Sequence, residues 1–329
     1  MAKAGAGPAA RAEGIRIEGA GTDSNVVRGN LIGTDATGTQ PLGNQDGVGI
    51  HSGAKYSVIG GPAAGEGNVI SGNSQFGVWI SGTGTDGHSV KGNRIGTDPS
   101  GTLTLGNSSF GVYISLNPSS IAVGGAAAGE GNIIAFNAND GITLLMGGAG
   151  NQYNRISGNA VFSNAGLGID LSNDGPTAND GLKTGGAPNQ LMDHPVFTTA
   201  TLAGNVLTVV GHVGSAPGQA TFANARVELF ESDQDASGYG EGQSYLGFLT
   251  ADASGNFAGA LSVGGLAVGD RITGTATDGS GNTSEFGANA AVSGPAVVVA
   301  PISGLTTTEA GGTATFTVVG AVETGKGAH

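Results

Sequence analysis

The chain has 329 residues, 65 of them glycine, with 11% charged, 5% aromatic and 38% hydrophobic residues, no cysteine and a formal net charge of −13. With only 12 Lys and Arg, it lacks the basic surface that phosphate binding needs, so nucleic acid is not an expected partner. The absence of cysteine excludes disulfides, thiol catalysis and thiolate zinc sites, and the glycine content argues against long helices, because an interior glycine costs a helix about 1 kcal/mol relative to alanine.

The opening Met1-Ala2-Lys3-Ala4-Gly5 lacks the apolar core of a signal peptide, and no apolar run approaches the roughly 18 residues of a membrane helix. From Gly14 onward the chain repeats itself. Ile32-Gly33-Thr34-Asp35, with Gly38-Thr39 and Leu42-Gly43-Asn44, returns 63 residues later as Ile95-Gly96-Thr97-Asp98, with Gly101-Thr102 and Leu105-Gly106-Asn107. Gly60-Gly61-Pro62-Ala63-Ala64-Gly65-Glu66-Gly67-Asn68 returns as Gly124-Gly125-Ala126-Ala127-Ala128-Gly129-Glu130-Gly131-Asn132. A period of this length marks a repeat architecture.

Between these marks lie short runs of period two: Val48-Gly49-Ile50, Val78-Trp79-Ile80, Val112-Tyr113-Ile114, Ile142-Thr143-Leu144 and Ile169-Asp170-Leu171. Each is too short for a free hairpin, but coils stacked about 4.8 Å apart would bury the inward Val, Ile and Leu in one continuous core. A 63-residue repeat then corresponds to roughly three coils. Gly-Asn pairs at Gly29-Asn30, Gly67-Asn68, Gly72-Asn73, Gly92-Asn93, Gly131-Asn132 and Gly158-Asn159 fall between the runs. They read as corners, where both residues tolerate a left-handed backbone and stacked Asn side chains can bond along the axis.

These blocks resemble the pectate-lyase-like β-helix repeats of large bacterial surface or secreted proteins, and the resemblance implies a right-handed parallel β-helix. The run from Gly168 to Asp180 resembles the segment that ends the helix in that family, while 238–243 and 278–286 resemble its following sandwich domain. Together they cover nearly the whole chain. The expected fold is therefore all-β, a right-handed parallel β-helix followed by an antiparallel Ig-like β-sandwich.

After Pro195 the corner pairs stop. Alternating strands appear at Val206-Leu207-Thr208-Val209-Val210, Arg226-Val227-Glu228-Leu229-Phe230 and from Arg271 to Thr277, as expected of antiparallel sheets with one wet face. The division is residues 14–192 for the helix, 193–294 for the sandwich and 295–329 for a linker and the incomplete start of a further β repeat. The last part gives the chain the look of a piece of a longer protein.

The common nucleophile, zinc and nucleotide motifs are absent, but β-helix enzymes assemble carboxylates, Ca²⁺ and an Arg or Lys from neighbouring coils and leave little trace in sequence. Arg94 and Arg155, at matching places after Asn93 and Asn154, are catalytic candidates, as is His194 beside Asp193; a repeated surface feature and an ordinary solvated histidine are the plainer readings. Trp79, Tyr113 and Phe110, in comparable strands, are candidates for an aromatic strip that stacks on sugar rings, although core packing is the alternative and a corner-packing role is favoured for Phe76 and Phe110. The segment with Asp170, Asn173, Asp174, Asn179 and Asp180 offers the oxygen ligands that Ca²⁺ takes. A weaker Ca²⁺ candidate is Asp233, Asp235 and Ser237, which copy the first half of a calcium loop but have Ser244 where the bidentate Glu would fall. Ordinary polar turns explain both equally simply.

Whether the chain is an enzyme stays open at this stage. The leading expectation is an extracellular or cell-surface module that contacts carbohydrate or a matrix polymer and is stabilised by Ca²⁺. The alternative is a Ca²⁺-dependent hydrolase or polysaccharide lyase acting on an acidic polysaccharide or a small ester or lactone.

Overall fold

The computed structural model describes residues 12–296 apart from 146, 148, 149, 234 and 236; most of the segment expected to form a linker and a further repeat lies outside the described residues. Its first half consists of three parallel sheets. One contains Glu13–Glu18, Asp46–His51, Val78–Ser81, Val112–Ser115, Ile142–Leu144 and Ile169–Leu171, each strand paired in parallel with the next. The other two have five strands each, running from Val26–Val27 to Arg155–Ser157 and from Leu31–Ile32 to Ala160–Phe162. The chain visits the three sheets in rotation, which is the arrangement of a parallel β-helix.

The inward residues of the first sheet form the core: Val48, Ile50, Val78, Ile80, Val112, Ile114, Ile142 and Leu144 are each 0% exposed. Two-residue strands hold because every coil buries these side chains against the next one. The 63-residue repeat spans two coils instead of three, since Val48 pairs with Val78 and Val78 with Val112. The extra length goes into the Gly-Thr-Asp loops. Asp35 accepts the N–H groups of Thr39 and Gln40, and Asp98 those of Ser100, Thr102 and Leu103, so each loop is closed by its own carboxylate.

The corner asparagines form ladders. In one, each of Asn44, Asn73, Asn107 and Asn137 donates its backbone N–H and its Nδ2 to the Oδ1 of the next, ending on Asn164. A second runs through Asn30, Asn68, Asn93, Asn132 and Asn159 in the same way. At the third corner His88 takes a rung: its Nδ1 accepts the Ser57 N–H, which leaves Nε2 to donate to the Ala54 carbonyl. Burial holds that imidazole below its usual range, as a ring serving as an acceptor requires.

The second half contains a three-stranded antiparallel sheet (Pro195–Ala203, Val206–Val213, Asn256–Ser262) and a four-stranded one (Gly242–Thr250, Arg226–Ser232, Arg271–Thr277, Ala290–Ala291). They share a core that includes Leu207, Val209, Val227, Leu229, Phe257 and Ile272. This unit closes the end of the coil stack. Phe230 and Phe286 join the core of the β-helix and meet edge to face at 5.4 Å. Buried carboxylates complete the last coil: Glu228 accepts from Ser157 Oγ and the Gly158 N–H, Glu241 from Asn164, and Glu285 from the Leu171 and Thr177 N–H groups. Thr283 Oγ1 and Asn282 Oδ1 take the N–H groups of Ile156 and Tyr153. An exposed coil end would leave these donors unpaired once covered by apolar surface, so the capping unit brings acceptors as well as phenyl rings.

Candidate functional site

On the first sheet the residues between the inward ones face out, and the register places Arg16, Gly49, Trp79, Tyr113, Thr143 and Asp170 in one row along the helix axis. The two middle coils carry rings. Trp79 and Tyr113 lie 6.5 Å apart with planes 22° from parallel, and both are partly exposed. Phe76 and Phe110, stacked at 5.8 Å, adjoin them: Phe76 is 4.7 Å from Tyr113 and 5.7 Å from Trp79, and Phe110 is 5.0 Å from Tyr113. Trp79 Nε1 donates to Ser115 Oγ on the next strand at 3.0 Å, which fixes the indole over the sheet. Phe110, also expected in the aromatic strip, and Phe76, favoured for corner packing from the sequence, both adjoin the rings of Trp79 and Tyr113.

Carboxylates occupy the coils on either side. Asp46 and Asp140 stand two residues before Val48 and Ile142, the places that Phe76 and Phe110 hold before Val78 and Val112. In the other row, the place a side chain on Gly49 would fill is taken by Glu13, because an added Cβ would lie 2.5 Å from both Glu13 Cδ and His51 Nε2. The Glu13 side chain is 1% exposed, its Oε1 lies 2.9 Å from His51 Nε2, and its Oε2 has no hydrogen-bond partner among the described residues. His51 in turn meets the Trp79 ring edge-on at 4.5 Å.

Toward the capping unit, the same face opens into a cleft of about 490 Å³ lined by Asn139, Asp140, Leu167, Asp170, Asn173 and, from the second unit, Asp235 and Ser237 among others. Asp140 accepts from Thr143 Oγ1 and the Leu167 N–H. Asp170 accepts the N–H groups of Asn173, Asp174 and Gly175. Burial raises both carboxyl groups above their ordinary range, and the charge of Asp140 raises Asp170 further.

The cleft brings together parts of both segments singled out for Ca²⁺. Asp170 and Asn173 come from one, Asp235 and Ser237 from the other. The remaining residues serve elsewhere. Asp174 is exposed, Asn179 clamps the junction by bonding both His194 and the Gly214 carbonyl, and Asp180 closes a turn on the Leu182 N–H. Asp233 accepts from the N–H groups of Ser163, Asp235 and Glu241. Among the described residues, no three His, Cys, Asp or Glu side chains converge as metal ligands.

The catalytic candidates are not brought together. Arg94 belongs to the third sheet and Arg155 to the second, so their matching places in the sequence lie on different faces. Arg94 is partly buried and its Nε has no partner among the described residues, whereas Arg155 is exposed. His194 is buried at the junction of the two units, 5.8 Å from the Tyr239 ring, and burial lowers its pKa. Sequence reading did not single out Glu13, Asp46, Asp140 or Asn139. An Asp-Gly pair before an apolar run, shared by Asp46-Gly47-Val48 and Asp140-Gly141-Ile142, was the available signal. No family model matches this chain.

Proposed function

We propose that the chain is an extracellular or cell-surface module, a right-handed parallel β-helix closed by an Ig-like sandwich, that holds carbohydrate of a matrix or cell surface on the outer face of its first sheet. The observation that carries this reading is the ring cluster of Trp79, Tyr113, Phe76 and Phe110 on adjacent coils. Aromatic rings offer apolar faces on which the apolar face of a pyranose ring can lie, and parallel pairing puts one such ring on each of two consecutive coils. Ca²⁺ belongs to the reading as a stabilising ion at the oxygen-rich cleft between the two units.

The chain contains one tryptophan, so its fluorescence reports this face directly. Titration with a panel of soluble glycans is expected to change Trp79 emission, and Tyr113→Ala is expected to weaken that response. Unaltered emission across the panel would remove the reading.

A hydrolytic reading draws on one separate observation: Asp140 and Asp170, both with raised pKa, line a cleft on the same face. Paired carboxyl groups are what glycoside hydrolysis uses. Release of reducing ends by the purified chain, lost in Asp140→Asn, would favour it over a binding module.

A further inference from the structure

Among the described residues, the strands Pro195–Ala203, Val206–Val213 and Asn256–Ser262 form the one sheet that carries no Lys, Arg, Asp or Glu. The other four hold charged side chains, among them Arg16, Lys91, Arg94 and Arg226. The single ionisable side chain of the three strands, His212, is 8% exposed, and burial lowers its pKa. Leu207, Val209 and Phe257 turn one face of this sheet into the core shared with the four-stranded sheet. On the other face the register sets Thr199, Val210 and Ala258 in one row and Thr201, Thr208 and Ala260 in the next. All of these but Thr201 are exposed, Val210 by 43%. On a chain with a formal net charge of −13, an exposed sheet face without a charge has the mark of an interface, whose centre is set apart from other surface by its depletion of charged residues.

We infer that this face pairs two copies of the chain, sheet against sheet, about a two-fold axis. A two-fold contact sets one patch against itself, so the groups on it must be able to pair with their own kind. Carboxylates and ammonium groups cannot do so. Threonine hydroxyls can, because each both donates and accepts, and Val and Ala need only apolar neighbours. Charge acts in the same direction: two copies of −13 repel wherever their carboxylates meet, and this face brings none. Its small side chains let two sheets close to their ordinary spacing of about 10 Å.

The size of the face sets the strength of the pair. Three strands about 4.8 Å apart, with eight residues of about 3.4 Å in the middle one, give roughly 14 by 27 Å, or about 400 Å² per copy. The pair buries roughly 800 Å², below the roughly 1,200 Å² at which stable interfaces begin. The dimer is therefore weak and reversible, half formed at about 0.1 to 1 mM chain.

Sedimentation equilibrium of the full chain, from about 10 µM to about 1 mM, tests this in EDTA, which removes any divalent cation that could bridge carboxylates. A monomer–dimer equilibrium is expected. Its association constant rises severalfold between about 0.15 M and about 1 M salt, as the range of repulsion between the copies falls from roughly 8 Å to roughly 3 Å. Thr208→Glu and Ala260→Glu each place a carboxylate within the face and are expected to weaken association about tenfold or more. Gln243→Glu adds the same charge at an exposed place on the four-stranded sheet and is expected to leave association within about twofold of the parent. The two face variants lie on different strands, so a folding defect in one leaves the other to decide. A chain that stays monomeric throughout, a dimer indifferent to the face variants, or one that dissociates as salt rises overturns the inference. So does growth past the dimer, which a contact of one patch with itself does not produce.

Discussion

Glu241 receives from Asn164 the two bonds that each asparagine of the ladder gives to the next: the backbone N–H at 2.8 Å and Nδ2 at 2.7 Å. A ladder of asparagines has a direction, because each rung donates toward the C-terminal end and accepts from the other side. Another asparagine there would present its own Nδ2 to be satisfied in turn. A carboxyl group sets one oxygen against each of these two donors and has no amide to pass on along the axis, so it ends the series.

Replacing Glu241 by Gln keeps one acceptor and turns the other into a donor facing a donor. The expected cost is about 1 to 3 kcal/mol, the range for leaving a buried polar group unsatisfied, with Glu241→Ala at the upper end of that range or above it. Urea denaturation checks this, and a Glu241→Ala variant as stable as the parent would show that the ladder does not depend on the cap.

Burial pushes the Glu241 carboxyl from its ordinary 4.5 up to about 9, with Asp233 alongside adding to the rise, and pushes Glu285 up to about 7. A carboxyl raised in the folded state binds its proton more tightly there than in the unfolded chain, so stability falls as pH rises. The Glu285 contribution is complete below 4.5 and lost through about 7, and that of Glu241 is lost through about 9. His88 and His194, lowered by burial from 6.5, act with the opposite slope below that pH. The clean window is therefore between pH 7 and 9. The melting temperature of the parent is expected to fall across it, and that of Glu241→Gln to fall less; parallel curves would assign the slope to other groups.

Asn107 sits in the middle of its ladder with 0% exposure, accepting from Asn73 and donating to Asn137 and to the Ile70 carbonyl. Asn107→Ala leaves two donors of Asn73 without their acceptor and is expected to cost about 2 to 4 kcal/mol. Asn30, exposed at the first rung, donates along the ladder but accepts from no earlier rung among the described residues, and Asn30→Ala is expected to cost less than about 1 kcal/mol. Equal losses would mean that side-chain bonding along the axis is not what holds the corners.

Gly49→Ala places a methyl group 2.5 Å from both Glu13 Cδ and His51 Nε2. Glu13 and His51 must separate, which leaves a buried carboxylate without its partner. A loss of about 1 to 3 kcal/mol is expected, together with a shift in tryptophan emission as the imidazole moves from the Trp79 ring. Unchanged emission would show that His51 does not hold the indole.

Ca²⁺ is expected to raise the melting temperature and EDTA to lower it, because an ion bound only by the folded chain stabilises by mass action, about 2.7 kcal/mol at one hundred times its Kd. Asp170→Asn, which removes a charge from the cleft, is expected to diminish the difference. Identical melting temperatures in Ca²⁺ and EDTA would take the ion out of the proposed function.

Alternation and spacing were enough to place Val48, Ile80 and Leu144 inward, since a strand's two faces follow from its period alone. They also identified the Asn corners and the change of pattern near Pro195, because turn chemistry is written locally. The number of coils per repeat was not legible. Coil length depends on whether residues 33–43 wind into the stack or loop out of it, and closure by Asp35 decides for the loop. The site was legible only in part: Trp79 and Tyr113 stood out as aromatic residues in equivalent strands, whereas Glu13 became their neighbour through parallel pairing of strands 33 residues apart, Glu13 with Asp46. Tertiary structure likewise decided that Asp170 and Asp235 share a cleft, and that Glu228, Glu241 and Glu285 face the last coil. A buried carboxylate has no local signature. Its role is set by which unpaired N–H groups the rest of the chain delivers to it, and that is known only when the two halves meet.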